Sequence, residues 1–118
     1  MRRFAGLRRR ADFSRLRRRG RRTATPSLTL YREAPAPGDE RALVGIVVSK
    51  AVGKAVVRNR LRRRLAAIVH ETLANGARMR LLIVTRPVAA ALPFAALRQE
   101  VERALGGRLP EPAGGGTR

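Results

Sequence analysis

The chain has 118 residues, which is enough for one small domain with a single hydrophobic core. Lysine and arginine total 27 against 8 acidic residues, giving a formal net charge of +19. This charge favours a polyanionic partner and argues against an enzyme for neutral metabolites. The chain has no cysteine, which excludes disulfides and thiolate metal sites and fits a reducing compartment. Because it also has no long apolar run, we expect a cytoplasmic protein with no membrane partner.

The positive charge is concentrated in two blocks. Residues 1–22 contain 11 arginines and one aspartate, whereas residues 50–64 contain two lysines, five arginines and no acid. The rest of the chain holds nine arginines and seven acids, which nearly cancel. This distribution predicts an ordinary domain with a basic surface, rather than a uniformly basic protein.

The first block predicts an arm followed by a short helix. Residues 1–10 have no periodicity and are predicted to be a mobile basic arm. Asp12 is a candidate N-cap, Phe13 and Leu16 fall on one helical face, and Gly20 marks the end of the helix.

Two strands are predicted next. Ser27–Tyr31 alternates polar and apolar residues, and Ala42–Val48 is rich in β-branched residues. The Pro-, Gly- and Asp-containing stretch 35–40 between them predicts a turn. We therefore expect the two strands to pair as a hairpin.

The second half of the chain predicts a strand–helix–strand unit. Apolar residues recur at helical spacing from Val57 to Leu73, with Asn75 and Gly76 closing the helix. Residues 80–85 form an apolar strand, so the crossover joins parallel strands. A last amphipathic helix spans residues 94–105, and the Pro/Gly-rich residues 108–118 are predicted to be disordered.

Together these elements predict an α/β (α+β) two-layer sandwich. It has one small mixed sheet, made of a hairpin and a crossover, and three helices. Residues 11–107 form the single predicted domain.

Residues suited to catalysis are scarce. His70 is predicted on the solvent side of the long helix as an ordinary surface residue, and no two carboxylates are spaced for acid/base work or a divalent ion. A nuclease made of this polypeptide alone is therefore disfavoured.

The long helix carries the most informative pattern, Arg58-Asn59-Arg60-Leu61-Arg62-Arg63-Arg64. Helical geometry predicts an outward ridge of Arg60, Arg63 and Arg64, with Arg58 and Arg62 at the border of the apolar stripe. Such crowded like charges repel one another, and phosphates would relieve the repulsion because guanidinium groups bind them bidentately. A merely solvated helix face usually interleaves acids, so we favour a nucleic-acid interface.

Aromatic residues are few, which argues against a platform that stacks many bases. Phe13 and Tyr31 are candidates for contact with one or two bases, although Phe13 suits a core position equally well. These patterns alone leave DNA and RNA both open.

The segment from Val44 to Arg63 resembles the signature of the protein component of bacterial ribonuclease P. It contains Ser49-Lys50, Gly53 and the Arg58-Asn59-Arg60 motif in order. Upstream Asp12-Phe13, Gly20 and Tyr31, and downstream Leu81 to Pro87, occur at similar spacing. The resemblance covers roughly residues 7–105.

The resemblance implies a function and partners. In that family an RNA subunit uses Mg²⁺ to hydrolyse a phosphodiester, and the protein helps it bind precursor tRNA and remove the 5′ leader. The expected partners are therefore ribonuclease P RNA and precursor tRNA rather than DNA, with no cofactor held by the protein alone. The family also implies a left-handed crossover, against the usual rule.

Site residues also follow from the resemblance. The expected RNA-binding residues are Lys50, Lys54, Arg58, Asn59, Arg60, Arg62, Arg63 and Arg64, and the expected leader-binding residues are Phe13, Arg17, Tyr31, Ser49 and Lys50. None of them is expected to be catalytic.

Four departures from the family pattern qualify the site. Ala66 replaces a common basic residue, Arg17 replaces a common aromatic one, and Arg64 and Thr29 each replace a common apolar one. These changes favour phosphate contacts over stacking, so leader binding should depend steeply on salt. The alternative function is a structural RNA-binding protein of the ribosomal type.

Overall fold

The computed structural model describes residues 3–74 and 76–106. The predicted disorder of residues 108–118 lies outside this range. The described strands are β1 (Phe4–Gly6), β2 (Arg21–Ala24), β3 (Leu28–Glu33), β4 (Ala42–Val47) and β5 (Arg80–Thr85), and the helices are α1 (Arg10–Arg19), α2 (Ala55–Thr72) and α3 (Phe94–Ala104). Short 3₁₀ turns follow β4 at Lys50–Val52 and β5 at Pro87–Ala91.

The five strands form one mixed sheet in the order β1-β4-β5-β3-β2. Strands β1 and β5 both run parallel to β4, and β3 runs antiparallel to β5. The predicted α+β class and the parallel crossover β4–α2–β5 are confirmed. The left-handed sense of that crossover stays a prediction.

The predicted hairpin is wrong, because β5 lies between β3 and β4. Strand β5 contains the run from Leu81 to Val84, whose apolar side chains need cover on both faces, and the centre of the sheet provides it. The observed hairpin joins β2 to β3, with Thr23 opposite Leu30. Strand β2 escaped prediction because its residues, Arg-Arg-Thr-Ala, do not alternate polar and apolar types.

The N-terminal segment is also more ordered than predicted. Residues 4–6 form β1 at the sheet edge, and Phe4 and Leu7 are buried. The Arg3 guanidinium donates to the carbonyl of Leu73 at 2.6 Å, just beyond the C-terminus of α2. Its backbone N–H donates to Nδ1 of His70 at 3.1 Å. The mobile-arm prediction is therefore wrong for residues 4–10, and half-buried His70 is not an ordinary surface residue.

The sheet buries its two faces unequally. The main core lies under α2 and α3 and includes Leu30, Leu65, Ile83 and Leu97. A smaller cluster on the other face centres on Leu82 and contains the α1 residue Leu16. Because α1 is short, this second face is only partly covered.

Two helix ends differ from the predictions. Helix α1 begins at Arg10, so Asp12 lies in its first turn, and the Asp12 carboxylate instead accepts a bond from Arg80. Helix α2 ends at Thr72, before the predicted Asn75 and Gly76. The predicted end of α1 at Gly20 is confirmed, since its N–H bonds to the carbonyl of Leu16.

Candidate nucleic-acid interface

The loop between β4 and α2 begins the basic surface. Ser49, Lys50 and Lys54 are all exposed on this loop. Gly53 adopts a φ of 152°, a conformation that residues with side chains rarely adopt, and packs against Val57. The Arg58 Nε donates to the Gly53 carbonyl at 3.1 Å, so Arg58 fixes the loop to the first turn of α2.

The arginines of α2 differ in their exposure and in their hydrogen bonds within the protein. Arg60 and Arg63 are exposed, and neither has a bonding partner among the described residues. Arg62 donates to the Asn59 side chain at 2.8 Å and stays on the outer part of the helix. Half-buried Arg64 donates to the Leu92 carbonyl at 3.3 Å, so the prediction that it belongs to the outward ridge is wrong.

Within the described residues, none of these basic side chains forms an ion pair with a carboxylate. The observed ion pairs use Arg15, Arg80 and Arg98, which lie outside residues 50–64. Bonds to a carbonyl or an amide oxygen leave the guanidinium charge uncompensated, and each group retains further N–H donors. The start of α2 is therefore a positive surface able to bind phosphates.

A groove of about 260 Å³ follows this surface along the helix, lined by Asn59, Arg62, Arg63 and Ala66. Ala66 is 7% exposed. A long basic side chain at this position would occupy the groove, whereas alanine leaves it open between two guanidinium groups. The departure at Ala66 therefore gives α2 a concave basic surface.

The aromatic candidates meet on the less covered face of the sheet. Phe13 and Tyr31 are half-buried and pack on the cluster that contains Leu82 and Val84. Tyr31 is directly opposite Leu82 in the sheet. A Cβ atom added to Gly45 would lie 2.7 Å from Cε1 of Phe13, so the glycine makes room for this ring.

The other predicted leader-binding residues border this face. Arg17 is exposed one helical turn after Phe13, and Ser49 and Lys50 are exposed just beyond the end of β4. The aromatic surface lies at the middle of the sheet, where Tyr31 and Leu82 are level with Gly45 of β4. The basic loop begins just beyond the carboxyl-terminal end of the same strand. Phe13 packs against the Leu82 cluster, which supports the core interpretation of this residue, and its contact with a base stays a prediction.

Two further surface features are absent from the sequence predictions. Arg86 donates to the carbonyls of Thr25 at 3.0 Å and Pro26 at 3.3 Å, which fastens the β2–β3 turn to the end of β5. Its position directly after an apolar strand was the available signal. A cavity of about 520 Å³ also lies beside β1 and is lined by Arg8 and Arg9. It is not predictable from a mobile arm, because its wall requires the ordered strand β1.

The described carboxylates mostly hold the fold together. Asp12 and Asp39 bind Arg80, and Glu33 binds Arg15. Hydrogen bonding to Arg80 lowers the pKa of Asp39. Within residues 3–74 and 76–106, no three histidine, aspartate or glutamate side chains cluster to hold a metal ion.

Comparisons with known proteins identify the family. A family profile described as Ribonuclease P matches residues 1–107. The ribonuclease P protein component of Acidothermus cellulolyticus is 45% identical over 104 residues, covering 85% of this chain and 84% of the relative. That of Thermobifida fusca is 40% identical over 106 residues, covering 84% and 72%.

Solved structures show the same fold. The RNase P protein of Thermotoga maritima matches with a TM-score of 0.72 at 22% identity, covering 90% of this chain and 97% of that one. A mutant RNase P protein of Staphylococcus aureus matches with a TM-score of 0.74 at 23% identity, covering 86% and 85%. With the family match over nearly the whole chain, these findings establish that the chain belongs to the ribonuclease P protein family.

Proposed function

We propose that this chain is the RNA-binding subunit of ribonuclease P and assists a catalytic RNA in removing the 5′ leader from precursor tRNA. The observation that carries the proposal is the arginine surface at the start of α2. Arg60 and Arg63 are exposed there without a carboxylate partner among the described residues. Family membership gives this surface its partner, the RNA of ribonuclease P.

The geometry supports a division of labour between two surfaces. The basic residues of the loop and α2, from Lys50 to Arg64, would contact phosphates of the catalytic RNA. Phe13 and Tyr31 would contact the single-stranded leader, with Arg17, Ser49 and Lys50 on its phosphates. Since only two aromatic rings are available, leader affinity would come mainly from phosphate contacts and would fall steeply with salt.

The chemistry itself would belong to the RNA subunit and its Mg²⁺. The protein's own carboxylates suit a structural role, since Asp12 and Asp39 are occupied by Arg80. The protein would raise local positive charge and hold the substrate, which lowers the Mg²⁺ concentration that the RNA requires.

Cleavage at low Mg²⁺ tests this function. The full chain is added to a bacterial ribonuclease P RNA, and cleavage of precursor tRNA is followed on a gel. We expect the protein to restore cleavage and the Arg60→Ala/Arg63→Ala variant to require a higher protein concentration. Arg103→Ala, which removes an exposed arginine from α3, is the charge control. Absence of stimulation by the unmodified chain would refute the proposal.

Leader recognition needs its own test. Tyr31→Ala should weaken binding of substrates with long leaders and leave leaderless tRNA unaffected. Tyr31→Phe should retain most of the affinity if the ring provides the contact. Equal losses of affinity for both substrates would show that this surface does not bind the leader.

The ribosomal alternative predicts no stimulation of cleavage and is not favoured by the family match. No helix of the described chain is long and apolar enough to cross a membrane. A cytoplasmic location is part of the proposal, because tRNA maturation would take place where precursor tRNA is made.

A further inference from the structure

Two arginines face each other at the outer edge of the sheet. Arg21 of β2 is directly opposite Arg32 of β3 in the antiparallel register, so both side chains emerge from the same face. Like charges directly opposite one another destabilise a strand pair. This pair, the Arg21–Arg32 corner, is therefore costly to the free protein.

The corner contains a buried hydrogen-bond donor that has no acceptor among the described residues. Nε of Arg32 is buried and has no hydrogen-bond partner in the described part of the chain. Burial, followed by the nearby charge of Arg21, lowers the pKa of Arg32. A buried donor without a partner costs free energy until a ligand supplies an acceptor.

The nearest acid in the sequence does not compensate the corner. Strand alternation turns Glu33 to the opposite face of the sheet, where its carboxylate accepts from Arg15 Nε at 3.1 Å. No ion pair involving Arg21 or Arg32 occurs among the described residues. The corner thus combines two positive charges, an unpaired donor and an open sheet edge.

The corner is separate from the surface on α2. Arg32 is opposite Leu81 near the start of β5, whereas Leu28 is opposite Thr85 at its end. Four residues of strand span about 13 Å. Since α2 starts beyond the end of β4, which is parallel to β5, its arginines lie toward the opposite end of the sheet.

We propose that the Arg21–Arg32 corner binds a backbone phosphate of RNA. Two guanidinium groups on one face match the oxygens of a phosphodiester. Arg32 is half-buried, and its enclosed Nε anchors the base of a guanidinium whose outer part lies beside Arg21. The proposal rests on the proposed function. It adds a second, independent contact at the far edge of the sheet, which neither the arginine motif nor the aromatic surface contains.

Filter binding across a salt series tests the corner. The full chain, Arg21→Gln and Arg21→Gln/Arg32→Gln are bound to ribonuclease P RNA alone, to precursor tRNA alone and to their complex. We expect the double variant to lose about ten- to hundredfold in affinity at low salt. Its salt slope should be smaller by about 0.7 to 0.9 for one lost phosphate. The RNA on which the loss occurs identifies the source of the phosphate.

Arg22→Gln is the matched control. Arg22 is the next residue of β2, is exposed, and lies on the opposite face of the sheet. It changes the net charge by the same amount as Arg21→Gln but leaves the corner intact. If the two single variants have equal affinities and salt slopes on all three RNA samples while the unmodified chain still stimulates cleavage, the corner proposal fails and the proposed function stands.

Thermal unfolding separates binding from a structural role. Because Arg21 is exposed, Arg21→Gln should fold and should raise the melting temperature of the free protein by relieving repulsion. If the corner is a ligand site, Arg21→Gln raises the melting temperature and lowers the affinity for RNA. If the arginine pair is structural, Arg21→Gln lowers the melting temperature. If Arg21→Gln lowers the melting temperature and leaves the affinity for all three RNA samples unchanged, the pair has a structural role and the proposal is overturned.

Discussion

The two ends of the sheet use arginine in different ways. At the end where β5 begins, Arg80 lies between the carboxylates of Asp12 and Asp39, at 3.0 and 2.9 Å. At the end where β4 finishes, Arg58 and Arg64 bond to backbone carbonyls and keep their charge uncompensated. The local supply of acids therefore decides whether an arginine stabilises the fold or remains available to a polyanion.

The largest expected effect is at Arg80, whose charge is compensated by two carboxylates. Arg80→Ala leaves two partly buried carboxylates without their partner, so we expect the free energy of unfolding to fall by about 3 to 5 kcal/mol. The Arg80 side chain is only 15% exposed, which keeps solvent from replacing it. Urea denaturation followed by circular dichroism measures the loss.

Arg15→Ala is the control for this prediction. The Arg15 side chain is 54% exposed and pairs with one carboxylate, Glu33. Exposed pairs contribute at most about 1 kcal/mol. If both variants lost equal stability, the burial of the Arg80 ion pairs would not make them stronger than the exposed Arg15–Glu33 pair.

The uncompensated end should affect RNA binding more than stability. Arg60→Ala removes an exposed side chain with no described partner, so we expect unchanged unfolding and a loss of about 1.5 to 3 kcal/mol in affinity for ribonuclease P RNA. Arg58→Ala should reduce both quantities, because it also removes the bond to the Gly53 carbonyl. Titration of labelled RNA and thermal melts give the two measurements, and a fall in the stability of Arg60→Ala would contradict the assignment.

Much of the fold could be predicted because its strongest periodic segments are also its central elements. The apolar strand at residues 80–85 and the apolar stripe along α2 are both predictable from their side chains. The strand order is not predictable in this way, because β3 and β4 are near each other in sequence but β5, which comes later in the chain, lies between them. Strand β1 escaped because its pairing depends on contacts with β4 rather than on its own three residues.

The sequence predicts which residues form the candidate site better than it predicts the contacts that their side chains make. Residue type and spacing placed basic side chains on the start of α2, and the structure leaves Arg60 and Arg63 exposed there. Helical angle alone could not show that Arg64 turns to the Leu92 carbonyl, because that acceptor comes from a segment 28 residues later. The register of Arg21 with Arg32 is likewise not predictable, because the sequence of β2 does not indicate a strand.

A substitution in the middle of the sheet tests whether the aromatic surface and the basic surface on α2 act independently. Gly45→Ala places a Cβ atom 2.7 Å from the Phe13 ring, which must move. We expect a loss of about 1 to 3 kcal/mol in unfolding free energy. Leader affinity should weaken and binding to ribonuclease P RNA should not change. Gly6→Ala, which has open space around the added Cβ, is the control, and a combined loss of leader and RNA binding would show that the surfaces are coupled.

The smallest expected effect concerns an acid that bonds no arginine side chain among the described residues. Glu100 of α3 accepts bonds from the Ser27 hydroxyl at 2.6 Å and the Ser27 backbone N–H at 3.1 Å, and from the Thr25 hydroxyl. Burial works to raise the pKa of Glu100, but these hydrogen bonds outweigh it and hold the pKa below its ordinary value of 4.5.

A lowered pKa in the folded state means that ionised Glu100 stabilises the protein above pH 4.5 and that this contribution disappears as the pH falls through the folded-state pKa. Glu100→Gln keeps an acceptor but loses the charge, so we expect it to unfold about 1 kcal/mol more easily than the unmodified chain at neutral pH. The difference should vanish in acid. Denaturation at a series of pH values measures it, with exposed Glu102→Gln on the same helix as the control. A difference that persisted unchanged at low pH would show that the charge of Glu100 contributes nothing, leaving shape alone to explain its contact with the β2–β3 turn.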